Sequence, residues 1–72
     1  MPMRVRLSEP GLLRDLVAGF LRNGCVAHEL DDRSCAVVHV NALDAQEAWV
    51  EVEFYVRAWQ TRHPGVAAVL TR

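Results

Sequence analysis

The sequence predicts one α+β domain over residues 1–72, built as strand, helix, strand, strand, helix, strand. Three observations carry this reading. Residues 3–7 alternate apolar and polar with the period of a half-buried strand. Two later segments repeat apolar residues at helical spacing. Between those segments lie two runs of small and β-branched residues, separated by a short polar stretch.

In the first strand Met3, Val5 and Leu7 are expected to face a core, with Arg4 and Arg6 on the other side. Ser8 is then a suitable helix N-cap, and Pro10 falls in the first turn, where a missing N–H is not needed. Leu12, Leu13, Leu16, Val17 and Phe20 form one helical stripe, and Asn23-Gly24 ends that helix. Residues 25–30 and 35–40 read as strands joined through Asp31-Asp32-Arg33-Ser34, a hairpin whose turn contains no glycine. Pairing Leu30 with Cys35 would put His28 and His39 together, as diagonal neighbours on the sheet face away from the helices. Asp44 and Glu47 resemble a capping box. Ala45, Ala48, Trp49, Val52, Val56 and Trp59 follow at helical spacing, and His63-Pro64-Gly65 stops the helix before a last strand at 66–71. Two βαβ halves in this order predict a ferredoxin-like sandwich, a four-stranded antiparallel sheet with both helices on one face.

The composition narrows the function classes. A chain of 72 residues allows one small core, and 51% hydrophobic residues is ample for it. Such a fraction leaves apolar surface to cover, so a homo-oligomer is expected, a dimer first. The net charge is −1 and no strand contains Phe, Tyr or Trp, which argues against a nucleic-acid partner. No apolar run reaches the length of a membrane span, and Met1-Pro2-Met3-Arg4 leads into a strand without the apolar stretch of a secretory signal. Cys25 and Cys35 have neither metal-type nor CxxC spacing. They read as small buried thiols in a reducing, cytoplasmic setting. No cofactor or metal is expected, because His63 is too far along the second helix to join His28 and His39. No nucleophile–base or paired-carboxylate arrangement can be assembled, so catalysis is the weakest of the readings.

Residues distributed along nearly the whole chain resemble the ACT domain, a small regulatory ligand-binding module with the same βαββαβ order. The resemblance rests on Pro10-Gly11-Leu12-Leu13 at the turn into the first helix, Asn23-Gly24 at its end, and Pro64-Gly65-Val66 before the last strand. Ser8 and Val26 stand where family members often carry Asp or Asn. The resemblance implies a regulatory module that self-associates and binds a small, amino-acid-like ligand without chemistry of its own.

Two candidate sites follow. Glu9, Pro10, Gly11 and Leu12 open a helix N-terminus, where backbone N–H groups can receive an anion. The same residues also make an ordinary cap, and Glu9 already supplies a negative charge. Val50, Phe54 and Ala58 form a second apolar stripe on the long helix. That stripe is a subunit or partner interface, a contact with the first helix, or an isolated exposed Phe. The alternative function is therefore a protein–protein interaction module with neither ligand nor catalysis.

Overall fold

The alternation of the first strand is carried into three dimensions without change. In the computed structural model, which describes residues 2–72, β1 spans Met3–Leu7 with Met3, Val5 and Leu7 buried and Arg4 and Arg6 exposed. A single 3-10 turn, Pro10–Leu12, leads into α1, Leu13–Arg22. Strands β2, Cys25–Glu29, and β3, Ser34–His39, form the hairpin. Helix α2 runs Ala45–Arg62, and β4 is Ala68–Thr71. The sheet order is β2-β3-β1-β4 and every neighbouring pair is antiparallel, as in the ferredoxin-like sandwich.

Both helices lie on one face of the sheet. Leu13, Leu16 and Phe20 of α1 and Val52, Val56 and Trp59 of α2 share one buried cluster with Met3, Val5, Leu7, Cys25, Cys35 and Val37. Phe20 and Tyr55 bring the helices together with ring centroids 4.8 Å apart. Trp59 is fully buried, and its indole N–H donates to Asp15 Oδ2 at 2.9 Å. That bond ties the C-terminal half of α2 to the start of α1 and satisfies the one polar atom of the largest core side chain.

The helix ends follow local chemistry. Asp44 Oδ1 accepts from the Glu47 N–H at 2.8 Å, and Glu47 Oε1 accepts in return from the Leu43 N–H at 3.4 Å, so the expected capping box forms. Gly24 and Gly65 take φ values of 80° and 89° after α1 and α2, backbone positions where an L side chain is strained.

Ser8 does not cap α1. Its hydroxyl accepts from the Ala67 N–H and its own N–H donates to the Ala67 carbonyl, both at 2.9 Å. The extended chain continues one residue beyond β1, so Ser8 joins the approach to β4. Glu9 takes the cap position of the 3-10 turn and Leu12 that of α1, and neither makes a side-chain cap bond. Residues 66 and 67 are correspondingly outside the last strand, held by Val66 N–H to the His63 carbonyl and by Gln60 Nε2 to the Val66 carbonyl.

The hairpin register also differs from the expectation. Glu29, not Leu30, lies opposite Cys35, and Cys25 lies opposite His39. The Leu30 N–H closes the hairpin on the Ser34 carbonyl at 2.8 Å, and Asp31 Oδ1 accepts from the Arg33 N–H at 2.8 Å. This Asx turn makes a tight connection without glycine. Because side chains alternate, a one-residue slip moves one strand's residues to the opposite face. Cys35, Val37 and His39 therefore point toward the helices, whereas Val26 and His28 stay on the open face with Arg4 and Arg6. The two histidines lie on opposite faces of the sheet. On the open side Ala36 and Ser34 sit directly beside Arg4 and Arg6. They are buried there as small residues between long ones.

Candidate functional site

A cleft opens where α1 ends. Arg22 closes the last turn of α1, and Asn23 follows with its Nδ2 donating to the Gly19 carbonyl at 2.7 Å. Beneath them the paired residues Cys25 and His39 form the adjoining ends of β2 and β3. Across from them runs one stripe of α2, formed by Glu51, Phe54, Tyr55, Ala58 and Arg62, at spacings that place them on one side of a helix. Together these residues line a cleft of about 440 Å³, within the usual size of small-molecule sites.

Its floor and walls differ in character. Tyr55 is fixed by its ring contact with Phe20, and its hydroxyl lies against the backbone of Gly19, where no side chain intervenes. Phe54 is 69% exposed, a high value for a residue bordering a concave surface. Ala58 leaves a gap between Phe54 and Arg62. His39 Nδ1 is buried with no hydrogen-bond partner, the one such side-chain atom among the described residues. Arg22, Arg62 and Glu51 form no ion pair within 4.0 Å among the described residues. The two close pairs there are Glu53–Arg57 and Asp15–His63, each at 3.7 Å.

Burial, reinforced by the Glu51 carboxylate, pushes the Cys25 thiol up from its ordinary value. Burial likewise raises Cys35 to about 11. Neither thiol is activated, since activation requires a lowered pKa. Among the described residues no three His, Cys, Asp or Glu side chains converge so as to hold a metal ion.

The first strand–helix turn stands apart from this cleft. Glu9 and Gly11 are exposed, Pro10 is half-buried, and Leu12 packs partly against the core. The Leu12 N–H donates to the Glu9 carbonyl at 3.2 Å and the Leu13 N–H to the Pro10 carbonyl, so two N–H groups of the turn are engaged internally. The Glu9 carboxylate lies over Gly11, Oε1 being 3.7 Å from the position a Cβ there would take. The helical stripe divides: Phe54 and Ala58 line the cleft, while Val50, 52% exposed, lies outside its lining.

Sequence reasoning did not bring Arg22, His39, Glu51, Tyr55 and Arg62 together. Part of the signal was present, because Glu51, Tyr55 and Arg62 continue the Phe54–Ala58 face at helical spacing. The contribution of His39 depends on the hairpin register, and that of Arg22 on where α1 ends against α2. No helix among the described residues is long and apolar enough to cross a membrane. Comparison with protein-family models, with curated proteins and with solved structures returns no match to this chain.

Proposed function

We propose that this chain is a small, non-catalytic binding module that self-associates and takes a small ligand, as its resemblance to ACT domains implies. The observation that carries the reading is the cleft between α1 and α2, where an apolar wall meets unpaired charged groups and a buried nitrogen without a partner. Such a surface, with few polar groups converging on an apolar hollow, suits ligand recognition better than it suits catalysis. We place the ligand in this cleft rather than at Glu9, Pro10, Gly11 and Leu12, because Glu9 itself covers that turn. A cytoplasmic setting agrees with two free, buried thiols.

Self-association is assigned to the outer face of α2. Val50 and Phe54 are one helical turn apart and both largely exposed, so a second copy seated on Val50 and the outer edge of Phe54 would set the cleft at a subunit boundary and leave the ring face toward the cleft free. The same pair favours the second reading, a protein-interaction module without a small ligand. Light scattering on wild type, Val50→Asp and Phe54→Asp tests the assembly. A wild-type dimer that either substitution splits is the expected result. Val50→Asp is the more informative variant, since Val50 does not line the cleft. A wild-type monomer at high concentration refutes self-association.

A further inference from the structure

We propose that the cleft recognises an organic monoanion, specifically a carboxylate carried on a flat apolar body. This rests on the reading of the α1–α2 cleft as a ligand site, and adds the chemistry of what enters it.

Charge sets the sign. Arg22 and Arg62 bring two positive charges to the cleft and Glu51 one negative charge, a formal balance of +1 from these three side chains. Neither guanidinium has a carboxylate within 4.0 Å among the described residues, although a planar guanidinium is suited to grip one through two parallel hydrogen bonds. One ligand carboxylate completes the balance. A cation leaves both arginines uncompensated, and a dianion meets repulsion from Glu51.

The polar interior agrees. Buried side-chain nitrogens in native proteins almost always have partners, and His39 Nδ1 does not. A ligand oxygen entering over Cys25 and His39 supplies the acceptor that this ring lacks. Asn23 is not its partner: the Asn23 amide turns away to donate to the Gly19 carbonyl at 2.7 Å.

The apolar side sets the shape. Phe54 offers a ring face with little covering it, and Ala58, one turn on, removes the bulk that would block a flat group from lying along the helix. Aromatic rings prefer offset-stacked or edge-to-face partners, so a planar body uses this wall better than a branched one. A cleft of about 440 Å³ admits a ring bearing a carboxylate.

The test is a titration of ¹⁵N-labelled protein with benzoate, its neutral isostere benzamide, and acetate, which keeps the charge but lacks the ring. Benzoate is expected to give saturable amide shifts centred on Phe54, Tyr55 and His39. Benzamide and acetate should each bind about tenfold more weakly or worse. Arg22→Gln and Arg62→Gln should each weaken benzoate by about tenfold, with circular dichroism and solution mass unchanged. Equal binding of benzamide overturns the anion assignment while leaving the cleft a ligand site. Equal binding of acetate overturns the flat body. Benzoate shifts that are absent, unsaturable or located elsewhere overturn the proposal. Solution mass is read separately, so a monomer that binds benzoate refutes self-association alone, and a dimer that ignores benzoate refutes this inference alone.

Discussion

Replacing Gly19 with alanine sets two effects of opposite sign against each other. In an exposed helix interior, Gly→Ala is expected to stabilise by roughly 0.5–1 kcal/mol, because alanine loses less backbone entropy on folding. Gly19 is buried in α1, and a Cβ built there collides with the Tyr55 hydroxyl and comes within 3.0 Å of Tyr55 Cζ. Two responses are open to Tyr55. If the ring stays, the overpacking costs about 1–3 kcal/mol. If it swings into the cleft, it loses the 4.8 Å contact with Phe20, worth about 0.5–1.5 kcal/mol beyond burial. Subtracting the helix gain leaves a net destabilisation of about 1 kcal/mol when the ring stays, a fall in Tm of about 4–8 °C for a domain this small, and when the ring swings it leaves little beyond the burial that Tyr55 gives up. Urea and thermal unfolding measure it. The informative comparison is the same substitution in a Tyr55→Ala background, where the obstruction is gone and Gly19→Ala should turn stabilising by roughly 0.5–1 kcal/mol. If Gly19→Ala stabilises the protein with Tyr55 in place, the close approach of the two helices is not what demands glycine, and the reasoning fails.

Three further outcomes are expected. Burial raises the Cys35 pKa from 9.0 to about 11, so iodoacetamide at pH 8 should meet about a hundredfold less thiolate than at an ordinary thiol and label the native protein slowly; rapid native labelling would contradict that burial. Because the folded-state value is the higher one, the Cys35 contribution to stability is complete below pH 9.0 and is lost as pH rises toward about 11, which urea unfolding of wild type and Cys35→Ala across that window should separate. Asp44→Ala removes the acceptor of the Glu47 N–H and should cost about 1 kcal/mol, visible as a lower urea midpoint at unchanged slope. Asp15→Ala leaves the Trp59 indole N–H without its partner and should cost about 1 kcal/mol, a modest value because Asp15 is itself largely exposed; no change in Tm would mean that solvent replaces the bond.

Local chemistry made much of this fold legible. The strand at residues 3–7 is visible as strict alternation. Asp44 with Glu47, and His63-Pro64-Gly65, mark both ends of α2 to the residue, because a cap is a contact between near neighbours. Ser8 shows the limit of that argument. Its side chain suits a helix cap, but the ladder toward β4 extends past Leu7 and engages it with Ala67, 59 positions away.

The candidate site was less legible for a related reason. Phe54 and Ala58 were visible as an apolar stripe beyond what the core needs, but nothing local says what such a stripe faces. Amino-acid sequence by itself determined the element order, both ends of α2, the C-terminal end of α1 and which residues of each strand share a face. It could not determine which face of β3 meets which face of β2, since alternation sets a period and leaves the offset free. Tertiary structure decided that offset: β3 lies between β1 and β2, with Val5 opposite Cys35 and Met3 opposite Val37, and burying those four side chains beneath the helices turns His39 inward. The cleft exists because that choice places His39 and Cys25 under the end of α1, facing a stripe of α2 that the chain reaches only after the hairpin is complete.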